Sequence, residues 1–434
     1  MIFSLDVRRA RKGDCLLLHS GTKGDPGLII IDGGPPNVYR PQLAPRIESI
    51  RKARKLADEE SLTVDALMVS HVDDDHIRGI LELGDAESDR KRAKQPQKLN
   101  VLGFWHNSFD EVISHNTKEI TAALNTQFPT ASTTGDLPEE KKEEVHEESA
   151  EDEEVVDSGL EVLASLEQGF RLRQIADFLG WPRNPPFDGK LVIARDKPEE
   201  LGVAAGLTFT VAGPMQPELD ALRKKHLEWL EDLKKKGKSP PKALAAYIDK
   251  SVPNLSSLVV LAKSGKKSIL LTGDARGDRI IAGLQHAKLL KAGKTSTIKV
   301  DILKVPHHGS SNNLDKDFFE RIIADHYVFS GDGEHGNPER ESLEMLFDAR
   351  GSDPLTVHLT YPVAEIDKAR KAEWEKQQAK EKKRKAKNGR PNWSPETHSL
   401  ASFFKARKLP SARQKIEIVG DGPHVIDLLD PLGF

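Results

Sequence analysis

Residues 70–80, SHVDDDHIRGI, place three consecutive aspartates between two histidines, directly after an apolar run. Neighbouring carboxylates repel one another, so this cluster needs a cation or a helix N-terminus close by. In an extended or turn segment alternate side chains point the same way, which lets His71, Asp73 and Asp75 converge. Imidazole and carboxylate groups are common ligands of zinc and manganese. The spacing therefore predicts a divalent-metal site, with a capping or loop role as the alternative.

Strands and helices must position these side chains. Apolar runs that end at glycine or at a polar turn predict strands, and residues 40–60 and 160–180 have helical spacing. His76 opens another helical stretch, so the end of a strand delivers the cluster to a helix N-terminus. Mixed helices and strands in both halves predict an α/β fold. The strand-like runs include DCLLLHS, GLIIIDGG, VDALMVS, LNVLGFW, LTFTVAGP, SSLVVLAKSGKKSILLTGD and DILKVPHHGS.

Composition limits the classes of protein that remain. With 434 residues, of which 37% are hydrophobic and 31% charged, the chain can form one large domain with insertions or two ordinary ones. A single cysteine, Cys15, excludes an internal disulfide framework and suits a reducing compartment. No apolar stretch approaches the roughly 20 residues that span a bilayer, and nothing marks the chain for secretion. We therefore expect a soluble, cytoplasmic protein without a membrane partner.

Two charged segments depart from the globular pattern. Residues 130–158 are predicted to be an acidic, disordered insertion, because residues 139–157 hold eleven acidic side chains and two lysines. Residues 365–392 are predicted to be a basic helical insertion or arm, with eleven Lys or Arg against three Glu between positions 368 and 390. This arm could be a solvated helix face or a phosphate-binding element. Both segments could also dock protein partners.

The motifs resemble those of a known superfamily. HVDDDH resembles the metal-binding signature His-x-His-x-Asp-His of the metallo-β-lactamase superfamily, with Asp73 in place of the second histidine. NLSSLVVLAKSGKKSILLTGD resembles the strands that lead to its bridging aspartate, here Asp274, and LKVPHHGSS resembles its late histidine loop. Together with an early GD, IIIDGG and SGDGEHGNP, the set is most similar to the hydrolase domain of the ComEC competence proteins and its free-standing relatives. The resemblance covers separated blocks within about residues 1–345 and implies an αββα sandwich. We expect a single domain over residues 1–434, with VHLTYP and IEIVGDGPHVIDLL closing the second sheet.

The resemblance also implies a ligand set for two divalent ions, of zinc or manganese, with magnesium as a further candidate. One ion would take His71, Asp73 and, from GFWHNS, His106, for which a packed core role is the alternative. The other would take Asp75, His76 and one histidine of the pair His307 and His308, with His308 preferred. Asp274 would bridge the ions. Asp32 is expected to support the metal loop without binding metal.

The chemistry implied is hydrolysis. Two ions would lower the pKa of a water held between them and present hydroxide to an electrophilic phosphorus or carbon. The carboxylate of Asp73 makes the first site harder than an imidazole would, which departs from lactam-hydrolysing members and favours phosphodiesters. Asp75 and His335 are the expected catalytic residues. His335 would contact a scissile phosphate or protonate the leaving group, and a plain turn histidine is the alternative.

Three functions remain open. The first, which we favour, is a nuclease or phosphodiesterase acting on nucleic acid or another phosphodiester, with the basic arm following the phosphate backbone. The second is a hydrolase of a small molecule such as a cyclic nucleotide, a lactone or a phospholipid headgroup. The third is a regulatory partner with a vestigial metal site, suggested by the charged insertions.

Overall fold

The computed structural model of the protein describes residues 1–108, 168–221, 224, 256–383 and 389–434. The acidic insertion predicted at residues 130–158 lies outside the described residues. Helices and strands occur in both halves of the described chain, so the predicted α/β class is confirmed. Among the described residues, no helix is long and apolar enough to cross a membrane.

The strands form a six-stranded, an eight-stranded and a two-stranded sheet within the described residues. Their bounds are β1 Ile2–Val7, β2 Leu16–Gly21, β3 Pro26–Ile31, β4 Leu62–Val64, β5 Ala66–Met68, β6 Leu99–Val101, β7 Phe104–Trp105, β8 Leu201–Ala204, β9 Leu207–Gly213, β10 Val259–Ser264, β11 Lys267–Leu271, β12 Ile298–Lys304, β13 Ile322–Phe329, β14 Leu355–Leu359, β15 Gln414–Ile418 and β16 His424–Asp427. The six-stranded sheet has the order β16-β1-β2-β3-β5-β7, and the eight-stranded sheet has the order β15-β14-β13-β12-β11-β10-β9-β8. β4 pairs with β6.

Each large sheet joins an antiparallel part to a parallel part. The strands β16 to β3 pair antiparallel in the first sheet, whereas β3, β5 and β7 run parallel. In the second sheet β8 to β11 pair antiparallel, and β11 to β15 run parallel. Open sheets with parallel strands place their functional side chains beyond the carboxyl ends of those strands.

Helices cover the outer face of each large sheet. The helices are α1 Ala44–Ala53, α2 Asp74–Arg92, α3 168–179, α4 216–221, α5 Gly277–His286, α6 Lys316–Arg321, α7 Arg340–Arg350, α8 Val363–Lys383, α9 Pro395–His398 and α10 Leu400–Ala406.

Along β3, Ile29 and Ile31 face one apolar cluster while Leu28 and Ile30 face another, because side chains alternate along a strand. This double burial explains the uninterrupted apolar run at this strand.

Three apolar clusters define the layers. One lies between the two large sheets and joins residues such as Phe3 and Ile29 to Val260 and Ile302. The second packs the first sheet against α1, α2 and α3, and the third packs the second sheet against α5, α6, α7 and α10. The described chain is therefore ordered helix, sheet, sheet, helix.

One expectation for the C-terminal strands is wrong. The runs VHLTYP and IEIVGDGPHVIDLL were expected to close the second sheet, and β14 and β15 do so. β16 instead pairs antiparallel with β1 in the first sheet. The reason is packing, since Ile426 on β16 lies opposite Leu5 and both side chains join the apolar layer between the sheets.

Candidate metal centre

The candidate metal centre lies where strands of both sheets end. Asp32 directly follows β3, and His71 follows β5. From the second sheet, Asp274 follows β11 and the pair His307 and His308 follows β12. These loops meet at one edge of the sandwich, so residues from distant parts of the sequence share a single site.

The Asp274 carboxylate lies at the centre of the site. It is 2% exposed, and the Nε2 atoms of four histidines surround it. The distances to its nearer oxygen are 3.2 Å from His76, 3.4 Å from His308, and 3.9 Å from both His71 and His307. The Nε2 atoms of His76 and His308 are 3.3 Å apart. The structure thus brings together most of the predicted ligands.

Two of the three aspartates of the HVDDDH motif approach the same point. Asp75 lies 3.4 Å from His308 Nε2 and 3.8 Å from His76 Nε2. Asp73 lies 3.4 Å from His71 Nε2. Asp73 precedes the first residue of α2, so the helix N-terminus stabilises the negative charge of the cluster.

The Nδ1 atoms of these four histidines all face hydrogen-bond partners. His76 Nδ1 donates to Asp32 at 2.8 Å, because a carboxylate can only accept. The Ser70 hydroxyl donates to the same Asp32 oxygen at 2.7 Å, so its oxygen accepts from His71 Nδ1 at 3.1 Å. Holding the proton on Nδ1 directs the Nε2 lone pairs of His71 and His76 towards the Asp274 carboxylate.

An Asp14, Lys304 and Ser330 network holds His308 from the second sheet, and the sequence reasoning missed it. The Ser330 hydroxyl donates to Asp14 at 2.5 Å, so its oxygen accepts from His308 Nδ1 at 3.0 Å. Lys304, 1% exposed, forms an ion pair with Asp14 and lies 3.9 Å from Asp274. The only sequence signal for this network is the early GD motif, which contains Asp14.

Close backbone approaches fix the loops that carry these residues. A Cβ atom on Gly13 would lie 1.8 Å from the carbonyl oxygen of Asp75, so only glycine lets this loop reach the metal motif. A Cβ on Gly79 of α2 would lie 2.0 Å from the carbonyl oxygen of Gly33. The start of α2 is therefore held directly against the loop after β3.

The carboxylates favour positive charge at the centre. Burial lowers the pKa of His308, but the charge of Asp274 together with the charge and hydrogen bond of Asp14 outweighs burial and raises this pKa to about 10. Burial also lowers the pKa of His76. The charges of Asp274 and Asp32 act in the opposite direction, and this pKa lies well above its usual range. Two N–H groups cannot both point across the 3.3 Å between the Nε2 atoms of these rings. A cation between two neutral rings would satisfy the carboxylates without that conflict.

His106 and His335 are the two further histidines predicted at the site. His106 follows β7 and is 4% exposed, and its ring lies 5.5 Å from the ring of Phe104. The backbone N–H of His106 donates to Asn184 Oδ1. The described groups of ligand atoms within 4.8 Å of one another do not include it, and its role as a ligand stays a prediction. His335 lies at the rim, 54% exposed, with its Nε2 2.9 Å from Lys12 Nζ.

Ser310, Ser311 and Asn313 follow the histidine pair and differ in their burial and contacts. Ser310 is buried, while the Ser311 hydroxyl and N–H both donate to Glu339. Asn313, in a short 3-10 turn at residues 311–313, contacts His307 Nδ1.

Comparisons with known proteins leave the family open. The chain matches no protein-family model. Short stretches are similar to microtubule-associated protein 1A, at 38% identity over 61 residues for Rattus norvegicus, 37% over 71 for Mus musculus and 33% over 75 for Homo sapiens. These stretches cover 14 to 16% of the chain and only 2 to 3% of the length of those relatives. Such short similarity says nothing about the candidate metal centre.

Proposed function

We propose that the chain is a metal-dependent phosphodiesterase or nuclease with a metallo-β-lactamase-like αββα sandwich. It would hold two divalent ions, zinc or manganese with magnesium as a further candidate, around Asp274. The observation that carries the proposal is the set of four histidine Nε2 atoms within 3.9 Å of the Asp274 carboxylate. The layer order and the position of the site at strand ends support it.

The residues present fit a pair of ions. Ligands bonded at about 2.0–2.1 Å to one tetrahedral ion are roughly 3.3 Å apart, close to the 3.2–3.4 Å separations around Asp274. Among the described residues, neither His71 Nε2 nor Asp274 Oδ1 has a hydrogen-bond partner. Buried polar atoms are rarely left without one, and a bound ion would satisfy both.

The proposed ligands divide into two sets bridged by Asp274. His71 and Asp73 would hold one ion, with His106 as the further predicted ligand. Asp75, His76 and His308 would hold the other. We prefer His308 to His307 because its Nε2 lies nearer to Asp274 and its side chain is 3% exposed, against 29% for His307. When bound, the ions would activate water and neutralise charge on the phosphate oxygens.

Lys12 and His335 would contact the substrate at the rim. Burial and the charge of Lys12 lower the pKa of His335, so its ring is neutral at pH 7 and accepts a hydrogen bond from Lys12. A neutral histidine is a poor acid, which favours phosphate contact over protonation of the leaving group. His335 would hold the Lys12 ammonium where it can bind a non-bridging phosphate oxygen.

Helix α8 extends the positive charge away from this rim. Arg370 of α8 donates to the carbonyl oxygen of Gly336 at 3.0 Å, which anchors the helix on the turn that carries His335. Only Ile366 and Arg370 of α8 are buried, and its last turn carries Lys380, Lys382 and Lys383. A nucleic acid bound at the candidate metal centre would therefore have a row of lysines along which its backbone can run.

The test is a hydrolysis panel with protein reconstituted with manganese, zinc or magnesium. Substrates are plasmid, single-stranded DNA, RNA and bis(p-nitrophenyl) phosphate. A Lys382→Gln/Lys383→Gln variant should raise KM for nucleic acid and lower the slope of log affinity against log salt by roughly 1 per lysine. The small phosphodiester should be cleaved at an unchanged rate, because the candidate metal centre is untouched. The matched control, Lys266→Gln/Lys405→Gln, removes two exposed charges elsewhere.

The outcomes separate the alternatives. Hydrolysis of the small phosphodiester with no effect of the arm variant on nucleic acid would favour a small-molecule substrate. Absence of metal-dependent cleavage of all four substrates would contradict the proposal.

A further inference from the structure

A second group of histidines lies at the far edge of the layer between the sheets. His326 is on β13, His358 on β14 and His424 on β16, so the group spans both large sheets. Glu417 on β15 lies directly across from His358 in the parallel pairing. His358 also lies opposite Val328, and His424 opposite Val7, and both valines belong to the apolar layer between the sheets. We call these four residues the edge cluster.

The edge cluster has ligand geometry. His424 Nε2 lies 2.8 Å, and Glu417 Oε2 lies 3.6 Å, from His358 Nδ1. Each of the three residues offers one ligand atom, and these atoms lie within 4.8 Å of one another. The 2.8 Å and 3.6 Å separations lie on either side of the roughly 3.3 Å between ligands of one tetrahedral ion. The other ring nitrogen of His358, Nε2, is 2.9 Å from His326 Nδ1. Metal-binding histidines nearly always donate their second ring N–H to an acceptor, usually a carboxylate, a carbonyl or water, and the His326 ring nitrogen can accept here.

The position is both held and accessible. His358 is 2% exposed, whereas the Glu417 side chain is 49% exposed, so an ion can enter from the solvent side. Two imidazoles and one carboxylate suit zinc and related divalent transition ions, with water in the fourth position.

We infer that His358, Glu417 and His424 form a separate mononuclear site for a zinc-class divalent ion, which fastens β16 of the first sheet to β14 and β15 of the second. His326 is a positioning residue that orients the His358 ring. This inference does not depend on the proposed phosphodiesterase activity, because no residue of the edge cluster belongs to the candidate metal centre.

The test counts zinc in the full-length protein after chelation and reloading with zinc chloride. Glu417→Gln and His424→Gln should each lower the zinc content by one equivalent relative to wild type, and should remove the increase in Tm that this ion gives. Glu341→Gln, an exposed carboxylate change on α7, is the matched control and should keep the wild-type content. His326→Gln should keep the site but weaken its affinity by roughly 10- to 100-fold, as loss of an outer partner does.

The count distinguishes this inference from the proposed function. If the candidate metal centre around Asp274 bound no metal, wild type would hold one zinc and the Glu417→Gln variant none. If the edge cluster were only a metal-free chain of hydrogen bonds, wild type and both ligand variants would hold equal zinc, and the inference would be overturned. Circular dichroism checks that each variant is folded. If His424→Gln fails to fold, the Glu417→Gln variant still tests the inference, because Glu417 is half-exposed and its replacement should leave the fold intact.

Discussion

Replacing Lys304 by methionine should strongly destabilise the metal-free protein. The Lys304 ammonium is 1% exposed, forms an ion pair with Asp14 and lies 3.9 Å from Asp274. At that distance its attraction to Asp274 is about 4 kcal/mol for an effective dielectric constant of about 20. Removing one partner of a buried pair typically costs about 3–5 kcal/mol, because the other charge stays buried. We expect a loss of this size, which is a large part of the roughly 5–15 kcal/mol that stabilises a typical domain.

Urea denaturation of chelator-treated protein measures this loss, with tryptophan fluorescence as the signal. The control is Lys299→Met on the same strand, because Lys299 is 64% exposed and its ion pair with Asp325 should contribute less than about 1 kcal/mol. The double variant Asp14→Asn/Lys304→Met should be more stable than Lys304→Met alone, since the buried Asp14 charge is then no longer left without its ammonium partner. A Lys304→Met protein within about 0.5 kcal/mol of wild type would refute the reasoning.

Three further predictions concern the support of the site and the first sheet. Asp32→Ala removes the acceptor of His76 Nδ1 and should weaken zinc binding by roughly 10- to 100-fold in competition with a chelating dye, and unchanged affinity would contradict it. Gly79→Ala should lower the free energy of unfolding by about 1–3 kcal/mol through its clash with the loop after β3, whereas Gly202→Ala, with no atom within 4 Å of its Cβ, should not. Asp6→Asn should lower the free energy of unfolding by about 3–5 kcal/mol at neutral pH, because the Asp6 carboxylate is buried against the guanidinium of Arg46. Burial raises the pKa of Asp6, but its partners outweigh burial and lower it, so its stabilisation is present above about pH 4 and lost at lower pH, where the difference from wild type should shrink.

The strands around the site could be predicted because their sequence signals are local. The runs ending at Asp32, at Ser70 and at Asp274 are apolar and stop at polar or glycine-containing turns, and β3, β5 and β11 end there. The resemblance of the loop motifs to the superfamily then implied which side chains would meet, Asp274 among them. The structure places the Nε2 atoms of His71 and His76 at 3.9 Å and 3.2 Å from the Asp274 carboxylate, with the two ring centroids 4.1 Å apart.

Other features depend on tertiary structure and left no local signal. Asp14 and Ser330 are 316 residues apart in sequence, so nothing near either one indicates their hydrogen bond. In the sequence, Lys304 has the pattern of an ordinary exposed lysine at the end of a strand, but in the structure it is fully buried. β16 pairs with the edge strand that is available to it in the folded protein, which is β1. The short alternating sequence of β16 does not indicate which sheet edge is available.

The central claim is that divalent ions bound around Asp274 drive hydrolysis. Its most direct test is the initial rate of bis(p-nitrophenyl) phosphate cleavage against added manganese, for wild type and for an Asp274→Asn variant shown to be folded by circular dichroism. The account predicts a rate that rises with manganese and saturates in wild type, and a loss of about 100-fold or more in the variant, the order of effect seen when one stabilising group of an active site is removed. Equal rates in the two proteins, or a wild-type rate independent of metal, would contradict it.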